Sequence, residues 1–193
     1  MQTIIAIIVS IPIGIACSIA AWWIVFHKIV PRISFSEGTS KTQRNDSETG
    51  FCYRIKFENV GRRDIIDIQI HAYLRIIGLR SHKASGITTS VKLLTSKEYV
   101  PKMRADGKGF IVTLYPEKTG SFQRKAYPEE VRRKFEEKSL LLEDVLSLGH
   151  DTKLRVVVFG FDSFSGARRI FESKLYAVDD IKEGHFKGLQ ILG

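Results

Sequence analysis

The chain has 193 residues and a formal charge of +9, with 30 basic against 21 acidic side chains, which leaves room for one ordinary domain and an appendage. Its hydrophobic share of 44% is normal for a globular protein, and its two cysteines, Cys17 and Cys52, are too few for a disulfide framework. There is no internal repeat and no low-complexity tract.

The first predicted element is set apart by charge, because Ile4 to Phe26 contains no charged side chain. It holds nine Ile together with Val9, Val25 and Phe26. At about −0.3 to −0.6 kcal/mol each on an insertion scale, these sum to roughly −4 to −7 kcal/mol. As a helix rising about 1.5 Å per residue the run is about 35 Å long, against a hydrocarbon core of about 30 Å. A single transmembrane helix over 4–26 is therefore expected, with Pro12 and Gly14 as kink points. No basic n-region precedes it, so cleavage as a signal peptide is not expected. Lys28, Arg32, Lys41 and Arg44 follow it, which predicts a single-pass protein of the cell (inner) membrane, N-terminus outside and C-terminal domain cytoplasmic. Trp22 and Trp23 would mark the headgroup boundary.

Residues 27–50 read as a juxtamembrane linker, with Ser36 to Gly50 polar and without apolar periodicity. The domain is expected over 51–193. Phe51, Tyr53, Ile55 and Phe57 alternate with polar residues at the period of a half-buried strand, and Asn59-Val60-Gly61 turns the chain. Ile65 to Ile77 is the clearest strand, with Ile66, Ile68, Ile70, Ala72, Leu74 and Ile76 assigned to one face. Further strands are predicted at Thr88 to Leu94, Gly109 to Tyr115, Leu154 to Phe161 and Arg168 to Tyr176. A helix is predicted from Pro128, with Val131 and Phe135 on one face, and a second over Leu140 to Leu148.

Leu154 to Phe186 resembles the last part of the cytoplasmic domain of inward-rectifier potassium channels. The matching residues are Gly160, Ser165, Gly166, Tyr176, Asp180, Ile181, Gly184, His185 and Phe186. Phe57-Glu58-Asn59 with Ile65-Ile66-Asp67, and Pro31-Arg32 with Phe35-Ser36, are similar to earlier blocks of that family. The resemblance implies a mainly β chain, an immunoglobulin-like β-sandwich preceded by one inner-helix-like segment, and a homo-oligomer of tetrameric type that responds to anionic lipid. No pore helix or Thr-Val-Gly-Tyr-Gly-like filter is present, so the chain alone is not expected to select potassium.

The candidate lipid or anion site is Lys28 and Arg32 beside the helix exit with Arg168 and Arg169 on the late hairpin, each weighed against a plain topology or solvated-charge role. No catalytic constellation surrounds Cys52 or the five histidines, and no Cys or His pair has ligand spacing, so no enzyme, cofactor or metal is expected. Aromatics alternate toward the core instead of interleaving with the basic residues, which argues against nucleic acid. The expected function is a single-span membrane protein whose cytoplasmic domain senses a ligand or lipid or directs assembly. The alternative is a pore-forming or accessory subunit of an ion channel.

Overall fold

A computed structural model describes residues 2–44, 50–79, 88–105, 107, 109–118, 128–136 and 140–193, without the side chains of 2–9, 26 and 27. Helix α1 (Gln2–Trp23) occupies most of the uncharged run and contains Pro12. Among the described residues, however, no helix is long and apolar enough to cross a membrane. Beyond Trp23 its ladder loosens into a π turn, Ile24–Lys28. The expected transmembrane helix over 4–26, and the single-pass inner-membrane placement built on it, are corrected accordingly.

The rest is mainly β. Ten strands form one curled, mixed sheet in the order β10-β2-β3-β7-β5-β4-β8-β9, with β1 added to β3 and β6 to β4. The members are β1 (Ile33–Phe35), β2 (Thr39–Gln43), β3 (Phe51–Asn59), β4 (Ile65–Ile77), β5 (Thr88–Thr95), β6 (Tyr99–Met103), β7 (Phe110–Tyr115), β8 (Asp151–Asp162), β9 (Arg168–Glu172) and β10 (Ile181–Glu183). Two short strands, β11 (His185–Lys187) and β12 (Gln190–Leu192), pair separately. The sheet curls at β5, which pairs with β4 over Thr88–Leu93 and with β7 at Leu94 and Thr95. Its inner face is lined by Tyr53, Ile55, Phe57, Ile68, Ile70, Leu74, Val91, Val112 and Val158. Helices α2 (Glu129–Phe135) and α3 (Leu142–Leu146) add Val131, Phe135, Leu142 and Val145 to the same core.

Three differences from the sequence reading have local causes. Within the expected linker, Thr39–Gln43 is a strand, because β3 on one side and β10 on the other supply its backbone partners although its side chains are polar. Strand β6, absent from the sequence reading, hides only Val100 and Met103 among exposed neighbours. In β4 a bulge between Ile66 and Gln69 places an extra residue opposite β8, with Asp67 at φ +50. The bulge reverses the alternation, so Ile65 is fully buried and Ile66 is turned outward to a half-buried position.

Candidate functional site

The end of the β3–β4 pair nearest the α1 exit carries the main candidate. Asn59, fully buried at the end of β3, uses its side-chain amide as a bracket. Its Nδ2 donates to the Arg63 carbonyl at 2.8 Å, and its Oδ1 accepts from the backbone N–H of Gly61 at 3.0 Å and of Arg32 at 3.4 Å. The turn is then sewn to the exit segment by backbone bonds: Val60 and Gly61 donate to the Arg32 carbonyl at 2.8 and 3.3 Å, and Arg62 donates to that of Val30 at 3.4 Å. Gly61 permits this approach, since a Cβ there would lie 2.3 Å from the Arg32 nitrogen and 2.5 Å from the Val30 oxygen.

Between the two segments lies a cavity of about 270 Å³ lined by Lys28, Val30, Arg32, Val60, Gly61 and Arg62. Three of these six residues are cationic and none is acidic. Among the described residues none of the three cations has a carboxylate partner, whereas neighbouring Arg63 is paired with Asp162 at 3.2 Å. Lys28 instead lies with Nζ 5.6 Å from the centre of the Trp23 ring. Three cations lining one cavity, without a carboxylate partner among the described residues, favour a bound anion, and guanidinium forks suit phosphate or carboxylate oxygens.

Of the four basic residues expected to form the site, the structure brings Lys28 and Arg32 together and leaves Arg168 and Arg169 elsewhere. Strand β9 pairs Arg168 with Phe161 and Arg169 with Gly160. The Arg168 guanidinium lies 5.2 Å from the Phe159 ring, and neither arginine lines the cavity. The third cation, Arg62, was missed. The signal was present in Asn59-Val60-Gly61-Arg62-Arg63, a turn with two arginines directly behind its glycine, but its contact with residues 28–32 is a tertiary relationship that spacing does not encode.

A larger cavity, about 510 Å³, opens beside β2 and is lined by Lys41, Thr42, Gln43, Phe51, Glu183, Gly184 and His185. Its charges are mixed, and Lys41 is already committed to Glu143 at 2.6 Å. Burial alone would push the Glu143 carboxyl up, but hydrogen bonds from Lys41 and Tyr53 outweigh it and hold the group below the usual carboxylate range. Burial first, and Glu143 second, push the Tyr53 phenol far up, so it stays a donor. This triad is a closed structural unit. Among the described residues no three His, Cys, Asp or Glu side chains are grouped to hold a metal ion, and Cys52 is buried and free.

No protein-family model matches the chain, and no curated protein matches it. Among solved structures it is similar to the crystal structure of Spo0M, a sporulation control protein from Bacillus subtilis, at 11% identity and a TM-score of 0.31, over 81% of this chain and 50% of that one. The chain thus spans half the length of that protein, and so loose a likeness transfers neither fold nor activity. The expected kinship with inward-rectifier channels is corrected: no family model matches the chain, and the described residues contain no helix long and apolar enough to serve as the required inner helix. The ion-channel expectation falls with it.

Proposed function

We propose that this chain is a non-enzymatic binding module, its curled sheet an immunoglobulin-like β-sandwich, that recognises a phosphate-bearing anion at the junction of α1 and the sheet. One observation carries the reading: Lys28, Arg32 and Arg62 line a single cavity with no acidic side chain among its described lining residues. The shared chemistry is phosphate oxygen, whether from an anionic lipid headgroup or a soluble phosphate ester. Trp23, under the Lys28 ammonium, is a built-in reporter. Titration with inorganic phosphate should change its emission saturably and less at high salt. Co-sedimentation with vesicles of rising phosphatidylserine content then distinguishes the lipid source from the soluble one. A wild-type chain indifferent to both probes, or an Arg32→Ala, Arg62→Ala chain that binds as well as wild type, would overturn the reading.

A second reading, assembly, has its own support. Ile11, Ile13, Ile15, Ile19, Trp22 and Trp23 on α1 are each 47–61% exposed, and an apolar helix surface of that kind is normally covered. Self-association through α1 would cover it. Sedimentation equilibrium of the full chain against one lacking residues 1–24 tests this, with loss of the oligomer on truncation expected and an unchanged mass ratio counting against it.

A further inference from the structure

Directly after the cavity residue Arg62, Arg63 joins three parts of the molecule. Its Nη2 donates to the Val25 carbonyl in the turn that ends α1, at 2.8 Å. Its Nη1 donates to Oδ2 of Asp162, at 3.2 Å. Its guanidinium carbon lies 4.2 Å from the centre of the Phe164 ring. Asp162 is fully buried and closes the β8–β9 hairpin from within. Its Oδ1 accepts from the Phe164 N–H at 2.9 Å, its carbonyl from Gly166 at 2.8 Å, and its N–H donates to Ala167 at 3.0 Å. One guanidinium thus holds the α1 exit, the β3–β4 turn and the β8–β9 hairpin as a unit.

Among the described residues, the cavity walls are the exit segment and the turn. It keeps its shape only while those two segments stay together. The Arg63–Val25 bond lies just upstream of the exit segment, so it resists the movement that would splay the cavity. Breaking it should weaken anion binding, and by reciprocity a bound anion should strengthen it.

We infer that Arg63 is a positioning clamp: it couples occupancy of the Lys28–Arg32–Arg62 cavity to the order of the α1 exit and of the 162–167 hairpin. The coupling rests on the proposed anion site; the clamp itself does not. Typical couplings between sites are about 5- to 150-fold in affinity, and a change of about tenfold is expected here.

The test uses the full chain with inorganic phosphate as the probe. Hydrogen exchange of wild type without phosphate is compared with that of Arg63→Ala and Arg63→Lys, a circular-dichroism melt confirming that each variant is folded. Arg63→Ala should speed exchange in both residues 24–32 and 163–167. Arg63→Lys, which keeps the charge but cannot reach both Val25 and Asp162, should do the same to a smaller extent. Phosphate should slow exchange at both places in wild type and less in Arg63→Ala, which should bind about tenfold more weakly. Phosphate binding by folded Arg63→Ala with wild-type affinity, or faster exchange at only one of the two places, overturns the coupling and leaves the proposed function standing. If wild type shows no response to phosphate, the binding reading and the coupling both fall, and simultaneous loosening in the unliganded variant still reads the clamp. Should Arg63→Ala prove unfolded, Asp162→Asn replaces it, with the same two segments and the same affinity as readouts.

Discussion

Tyr53 and Glu143, one on β3 and the other on α3, meet end to end: the phenol hydroxyl donates to Oε2 at 2.5 Å while Lys41 holds Oε1 at 2.6 Å. A five-residue helix has little stability of its own. It is kept in place by this charge-assisted pair and by Leu142, Val145 and Leu146 beneath it. Glu143→Gln removes the charge while keeping the shape, and should cost about 1 to 3 kcal/mol, measured by urea unfolding. A variant as stable as wild type would show that apolar contact alone seats α3.

Acid should weaken the fold in a defined window. Glu143 and Asp162 are both held below the ordinary carboxylate range, in each case because hydrogen bonds and a cation outweigh the effect of burial. Unfolded carboxyls take up protons at about pH 4, before the folded ones do, so stability is fully present above that range and is lost as pH falls through the folded values. Thermal midpoints measured from pH 7 to pH 3 should decline below about pH 5, and less steeply in Glu143→Gln. An equally steep decline would remove Glu143 from the account.

Gly160 is a packing prediction. A Cβ on it would lie 2.4 Å from Cγ2 of Ile65 in the fully buried core. Gly160→Ala should therefore destabilise by about 1 to 3 kcal/mol. Ile65→Ala alone should cost about 2 to 5 kcal/mol, and the double variant less than the sum of the two, because the new methyl fills part of the space vacated. Strict additivity would mean that the two side chains do not compete.

Gly61→Ala probes the cavity without altering a charge. The obstructing atoms are backbone, so no rotamer change relieves the clash. Phosphate-induced change in tryptophan emission should be lost, or weakened more than tenfold, while the far-ultraviolet spectrum stays β-rich. A fully responsive variant would show that the cavity does not need the close approach.

A chain beginning at Val30 should fold by itself, since the buried core and the residues packed on it begin at Ile33. Its far-ultraviolet spectrum should be β-rich, and Ile68→Asp, which leaves a charge unpaired in the core, should unfold it. A helical spectrum, or a stable Ile68→Asp chain, would count against the core as described.

Strands β3 and β4 were legible because apolar residues recur at period two, and β8 because Val156-Val157-Val158 is bounded by turn residues. Strand β2 was hidden, since Thr39 and Ser40 are buried by neighbours that lie far away in sequence. The face assigned to Ile66 was lost to a one-residue bulge, and alternation cannot announce where its own phase will slip. For the site, Lys28 and Arg32 could be found from their place after the uncharged run. Arg62 joins them only through the bonds that tie residues 60–62 to 30–32.

The parallel pairing of β10 with β2 also matters while the protein is being made. Ser40 bonds the carbonyl of Gly184, 144 residues further along, so an emerging β2 waits for its outer neighbour. At about 5 to 20 residues per second that wait is roughly 7 to 29 s. An apolar strand left open for so long on a ribosome would invite adhesion to other nascent chains. The sequence Thr-Ser-Lys-Thr-Gln keeps the waiting edge wettable, which gives a physical reason for a strand that carries none of the usual strand composition.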